Sequence, residues 1–358
     1  MLKNKIALCL ALLPILFSAT VNTAFAEESE VIPTTVVDGE VNVSSRIWEL
    51  LFGRRMEERE IPERLVVGGD VFGARIYTGY IEVFDDVDGV GIKKGDVITE
   101  VDGEAVSEIR ELSGLLEIGD RNHTVSVKRK GEVLQYKTEN AEDCRRLLSF
   151  CRDGAAGIGT VTYINPSDMT FGGLGHGICD EQGAVLPLER GRVTGVILGG
   201  ATKGENGHPG ELSGILTDRS LGEISQNTNV GVFGTFSEWR VDKASALPIA
   251  KRGEVKAGAA TIVSTIKNGK KMSYSVELYD INTGEVGTKC FKVRVTDKAL
   301  LSMTGGIVRG MSGSPIIQNG KLVGAVTHVM VAEPTEGYGI FIENMLNAAE
   351  GRVQPKAA

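Results

Sequence analysis

Between residues 141 and 346 the chain is a succession of short runs rich in β-branched and aromatic residues. Each run is cut within a few positions by Gly, Asn, Asp or Pro. The runs are 157–164, 184–188, 192–198, 230–236, 254–266, 271–278, 291–295, 316–317 and 322–331. Segments so short cannot be long amphipathic helices. Regularly spaced, they predict an antiparallel barrel or sandwich. Forty-six glycines, against 11 Phe and 2 Trp, supply the turns such a fold needs. No repeat of 20–50 residues is evident, so a solenoid or propeller is not indicated.

A chain of 358 residues is too long for one ordinary core, and two domains plus a leader are expected. Residues 1–26 read as a signal peptide or signal anchor. Lys3 and Lys5 precede an apolar run at 6–19, and Ala24-Phe25-Ala26 fits a small-x-small cleavage site. The run is short for a membrane span of roughly 20 residues, which favours export with cleavage. Residues 27–63 form a linker with a short helix that Ser45 could cap. The net charge of −8 and the lack of basic clusters interleaved with aromatics exclude broad nucleic-acid binding. Four of the five cysteines, Cys144, Cys151, Cys179 and Cys290, lie beyond the leader, without zinc-type spacing. Export permits a disulfide, and buried thiols are the alternative.

Residues 64–140 read as a compact unit. A strand is expected at 75–84, carrying Ile76, Tyr77, Ile81 and Val83. Gly95-Asp96 then turns the chain into a short apolar strand, and Asp102-Gly103 turns it out. A helix follows from Ser107, with Ile109, Leu112, Leu115 and Leu116, and a strand at 124–128. This order resembles a PDZ domain. Such a domain adds an extended peptide as a strand to a sheet edge. The loop at Gly68, Gly69 and Gly73 is the expected peptide-binding end.

The chemistry concentrates in Gly310-Met311-Ser312-Gly313-Ser314-Pro315. A nucleophilic serine needs open approach, a base, and N–H groups aimed at the developing oxyanion. Glycines at 310 and 313 let the backbone fold tightly around Ser312, and the amides of Gly310 and Ser312 are the expected oxyanion hole. Among four histidines, His176 stands between glycines at the end of an apolar stretch and is the expected base. His123 falls in the PDZ-like unit and His208 in a polar loop. His328 lies on a strand sixteen residues past Ser312. Asp180, four residues past His176, is a local candidate for the third member, which would orient the imidazole. No GxSxG elbow of the α/β-hydrolase kind surrounds Ser312.

Several segments together carry a closer resemblance. They are residues 155–160, Gly173-Leu174-Gly175-His176, Gly222-Glu223-Ile224, Gly231 to Thr235, Asp297 with Leu300-Leu301, residues 304–308, residues 310–321, and Gly324 to Val329. In these the chain resembles the SpoIVB peptidase family of endospore-forming bacteria, a PDZ domain followed by a peptidase domain. The resemblance implies Ser312 as nucleophile, His176 as base and Asp297 as the acidic member. It implies a chymotrypsin-like double β-barrel over residues 141–348, with 349–358 a tail, and it calls for no metal or cofactor. Asp297 precedes Ser312 by only fifteen residues, whereas the chymotrypsin pattern carries the aspartate on the first barrel. Either Asp297 acts from the second barrel or the site is a dyad.

The resemblance also implies a role. The enzyme crosses the forespore inner membrane into the intermembrane space. There it cleaves a regulatory subunit of a membrane-embedded metalloprotease complex, which activates sigma-factor processing in the mother cell. Self-cleavage is a further trait of the family. Gly306 and His328 would line the specificity pocket and favour a small or polar substrate side chain over Arg, Lys or Phe. The competing reading is a non-catalytic scaffold.

Overall fold

The computed structural model describes residues 61–117, 122–267 and 269–352. The leader, the helix expected from Ser45 and the last six residues of the tail lie outside the described residues.

The chain enters through β1 (Arg64–Val67) and β2 (Val71–Val83). Phe72, Ala74 and Ile76 of β2 are buried at alternate positions, as expected of a strand with one face in a core. The far end of β2 leaves that core. Ile81 and Val83 pack instead into a separate cluster with Ile92, Ile98, Val101, Leu112, Val125, Val127 and Leu147. This cluster is the centre of a small module. It comprises β3 (Val97–Val101), β4 (Glu104–Ala105), α1 (Ile109–Leu116), β5 (His123–Arg129), β6 (Glu132–Thr138) and α2 (Ala141–Ser149). Leu112 and Leu116, one turn apart, are the buried face of α1. The α2 N-terminus is capped by Asn140, whose side chain accepts from the Glu142 and Asp143 amides.

β7 (Cys151–Ile164) then runs back along β2, pairing Cys151 with Val83 at the module and Thr160 with Val71 in the first core. The module is therefore inserted between two neighbouring strands of the first barrel. This corrects the reading of 64–140 as a unit preceding the peptidase domain. The early part of β2 is apolar and alternating wherever it packs, so nothing local marked the point where it changes cores.

The first barrel continues with β8 (Thr170–Gly173), β9 (Arg190–Thr202), β10 (Glu211–Thr228) and β11 (Gly231–Phe236). The ring runs β2–β7–β8–β11–β10–β9 and closes by the β9–β2 pairing. Its core includes Phe72, Phe171 and Phe236, with the last two rings stacked 4.4 Å apart. β12 (Ala246–Pro248) pairs with β1. The second barrel is built from β13 (Gly258–Lys267), β14 (Lys270–Tyr279), β15 (Phe291–Val295), β16 (Pro315–Gln318), β17 (Lys321–Met330) and β18 (Glu333–Phe341). It closes in the order β13-β14-β15-β18-β17-β16. Helix α3 (Lys298–Thr304) precedes β16, and α4 (Ile342–Ala349) follows β18. Closure of each ring removes the edges that its own strands would otherwise expose. The mostly β double barrel expected from the sequence is the architecture observed.

Cys144, Cys151, Cys179 and Cys290 are all free thiols. Among the described residues no helix is long and apolar enough to cross a membrane.

The Gly95-Asp96 turn of the module has a specific cause. The Asp96 carboxylate is fully buried, accepts from the Lys93 amide at 2.8 Å and takes both Nε and Nη2 of Arg129 at 2.6 Å. Removing it strands the guanidinium and a backbone amide together. Asp96→Ala is expected to lower stability by about 3 kcal/mol, read from urea unfolding. A change below about 0.5 kcal/mol, the range of ordinary surface substitutions, would contradict this account.

Candidate active site

The two barrels meet where the Ser312 loop crosses β7. Thr160 and Thr162 lie two apart on that strand, so their side chains share one face, and both are fully buried. The Thr160 hydroxyl donates to the Gly310 carbonyl and the Thr162 hydroxyl to the Gly313 carbonyl, each at 2.8 Å. The Thr160 amide donates to the Ser312 carbonyl at 3.0 Å. Gly313 sits at the tightest point of the crossing, with φ +94°. A Cβ there would stand 2.0 Å from the Thr160 carbonyl oxygen and 2.5 Å from the Leu174 nitrogen. Only glycine satisfies both the backbone angle and the clearance.

These bonds leave two amides of the loop without an acceptor. Within the loop the amides of Met311, Gly313 and Ser314 donate to Val308, Val326 and Met311 carbonyls. The amides of Gly310 and Ser312 donate to no acceptor among the described residues. These two are the donors expected from the sequence. The Ser312 side chain is half-buried, and its Oγ donates to the Thr327 carbonyl at 2.7 Å.

His176 reaches the same place from the other barrel. β8 ends at Gly173, and Leu174 and Gly175 both take left-handed φ, +65° and +68°. A non-glycine residue in that region is strained, and here the strain turns the chain out of the sheet just before the histidine. Gly175 lies against Thr327 of the second barrel, where a Cβ would be 3.0 Å from its methyl carbon. The His176 ring packs on the His328 ring, centroids 4.9 Å apart. Thr327 and His328, neighbours on β17, thus contact Ser312 and the His176 turn respectively, and no hydrogen bond joins the Ser312 and His176 side chains.

The imidazole is oriented by backbone. Its Nδ1 lies 2.8 Å from the Gly177 carbonyl oxygen. A carbonyl can only accept, so Nδ1 carries the proton and Nε2 keeps its lone pair. That is the tautomer a general base requires. Burial holds the His176 pKa below the ordinary 6.5, opposed by the Gly177 bond.

Asp297 stands elsewhere. It is the N-cap of α3, with Oδ1 accepting from the Leu300 amide at 2.9 Å and Oδ2 from the Ser275 amide at 3.3 Å. The Leu300 amide foremost, with Ser275 and Ala299, keeps its carboxyl below the ordinary aspartate pKa. The sequence-based placement of Asp297 beside the histidine is corrected: its pattern, Asp with amides three residues on, is that of a helix cap. Asp180, the local candidate, is likewise turned inward and accepts from the Gln182 and Ala184 amides at 2.9 Å. Among the described residues no carboxylate bonds to His176.

Other expected positions are also moved. Gly306 is buried against β18, where a Cβ would meet the Pro334 carbonyl oxygen at 2.1 Å, so it opens no pocket floor. The amides of Gly68 and Gly69 are spent on the Thr162 and Val161 carbonyls. Gly73 lies inside β2, paired with Ile158 and Thr194. None of the three belongs to the small module, because the glycine-rich loop feeds the barrel. His123 is buried in the module with Nδ1 2.9 Å from Asp102, and His208 is exposed. The sequence reading passed over Thr160, Thr162 and Thr327. Their signal was two threonines alternating within an apolar strand, where a buried hydroxyl must find an acceptor.

Two expectations follow. Because a cap needs an acceptor and not a charge, Asp297→Asn should retain wild-type turnover, while Asp297→Ala should lose about 1 kcal/mol of stability. Loss of a true relay would cost roughly 10⁴ in kcat for either variant. The His176 base is lost on protonation, and its pKa is depressed. The acid limb of kcat/KM should therefore fall below pH 6.5, the ordinary histidine value. A limb at or above neutrality would show that an anion pairs with the ring.

The SpoIVB peptidase S55 family matches residues 144–346, more than half of the chain. No curated protein matches. Among solved structures, the active form of the Rv3671c protease from M. tuberculosis is 13% identical with a TM-score of 0.33. The alignment covers 57% of this chain and 78% of that one. The HtrA-type protease AlgW, solved with a decapeptide, is 9% identical with a TM-score of 0.33, covering 56% of this chain and 54% of that one. Human heparin binding protein is 11% identical with a TM-score of 0.29, covering 56% and 88%. The matched family begins after β2, so the first strand of the first barrel and most of the small module lie outside it. The chain belongs to the SpoIVB peptidase family S55 and is a serine endopeptidase.

Proposed function

We propose that Ser312 is the nucleophile and His176 the general base of a dyad, with the Gly177 carbonyl in the orienting place that a carboxylate usually holds. The observation that carries this is the fixed tautomer of His176 in the same cleft as Ser312 and the unbonded amides of Gly310 and Ser312. Rotation of the Ser312 side chain away from the Thr327 carbonyl directs its hydroxyl to Nε2. Oγ then attacks the scissile carbonyl while its proton passes to Nε2. The oxyanion is held by the two amides, each worth about 3 kcal/mol. The imidazolium returns the proton to the leaving amine, and water completes hydrolysis by the same route.

The biological role follows family membership. The substrate is a membrane-bound regulatory subunit of a metalloprotease complex that controls sigma-factor processing during sporulation, and the chain also cleaves itself. The apolar segment at 6–19 supports export across the forespore membrane, to the intermembrane space. The small module fits a PDZ-like targeting role. Its β2 edge is taken on both sides, by β3 and by β7, so an added peptide strand would use the free edge of β6.

A serine-directed fluorophosphonate should label the wild type and leave Ser312→Ala unlabelled. Peptide turnover should fall by roughly 10⁶ in Ser312→Ala and similarly in His176→Ala, with no further loss in the double variant. A folded wild type that is neither labelled nor active would establish a scaffold instead.

A further inference from the structure

Beside the catalytic cleft lies a pocket of about 650 Å³, within the ordinary range for ligand sites of roughly 300–1,000 Å³. His176 and His328 form part of its wall, yet no residue of the Ser312 loop lines it. It therefore adjoins the reacting atoms through the histidines only. A substrate side chain in it belongs to a residue removed from the scissile bond.

The charge of this pocket runs against that of the chain. The chain carries a net −8, but no Asp or Glu lines the pocket. Asp180, next to the lining residue Cys179, folds back on the amides of its own turn. Glu285, two before the lining residue Gly287, accepts from the Gly287 amide at 2.6 Å. Lys289 lines the pocket and is exposed; its ammonium rests 5.3 Å from the Tyr338 ring centre and forms no ion pair with a carboxylate among the described residues. The Nδ1 atom of His328 is buried with no hydrogen-bond partner. Beside the polar Asn229 and Thr288, Ala155, Ala156, Val185 and Val230 give small apolar walls suited to the methylenes of a side chain with a polar end.

We propose that this pocket is a substrate subsite for an acidic side chain, with the Lys289 ammonium as its anchor. The inference rests on the peptidase reading above and adds to it a substrate class: segments carrying Glu or Asp near, but not at, the cleaved bond. Burial, with the nearby charges of His176 and Lys289, pushes the His328 pKa down to about 4, so the ring is neutral at pH 7 and Lys289 carries the charge.

The test uses the full chain and matched fluorogenic peptides that differ only in Glu, Gln or Lys at each position around the cleaved bond. At one position away from the bond, Glu should exceed Lys in kcat/KM by roughly tenfold, and Lys289→Glu should reverse that order. Lys243→Glu, the same charge change on an exposed residue outside the pocket, should leave the ratio as in the wild type. Binding of the same peptides to Ser312→Ala, followed by fluorescence anisotropy, gives a second readout that needs no turnover. Turnover with equal preference for Glu and Lys at every position, or a ratio unmoved by Lys289→Glu, would overturn the subsite and leave the peptidase standing. Charge-selective binding with no turnover would uphold the subsite and overturn the peptidase.

Discussion

Two hydroxyls on β7 hold the catalytic loop of the other barrel. Thr160 and Thr162 reach the carbonyls of Gly310 and Gly313, and the Thr160 amide reaches that of Ser312. With three loop carbonyls engaged, the chain between Gly310 and Gly313 has one conformation in which it can lie against the strand. Gly313 fits there because no Cβ intervenes between it and Thr160. The setting of Ser312, the two unbonded amides and the relation between the barrels all follow from this crossing.

The same contact places the base. Leu174, on the strained turn that presents His176, abuts Gly313 through its backbone. Thr327 then closes the arrangement from the second barrel, accepting the Ser312 hydroxyl through its carbonyl and packing its methyl against Gly175. The Ser312 loop and the turn that carries His176 thus brace each other. Strain at Leu174 is sustained because the surroundings fix it from several sides.

The electrostatics differ from those of a full triad. His176 gains orientation from a carbonyl but no anion to stabilise its charged form, and it shares the cleft with a second histidine and a lysine. Without an anion the imidazolium that forms during attack is costly in this buried setting. A carboxylate brought by the substrate would add the missing negative charge on that side of the cleft.

The sequence by itself determined the element types and the chemical groups. Alternation and punctuation identified a barrel fold, and the glycines around Ser312 and His176 marked the two turns on which the proposed dyad rests. These are local properties, set by residue period and by which backbone angles each residue tolerates. Tertiary structure alone decided that β2 belongs to two cores and that the small module is inserted within the first barrel, because strand pairing joins residues 68 to 89 positions apart. It also decided that Asp297 caps α3 and that Gly306 is sealed by β18. An aspartate is equally at home as a relay or as a cap, and only its folded neighbours, here two backbone amides, distinguish the two.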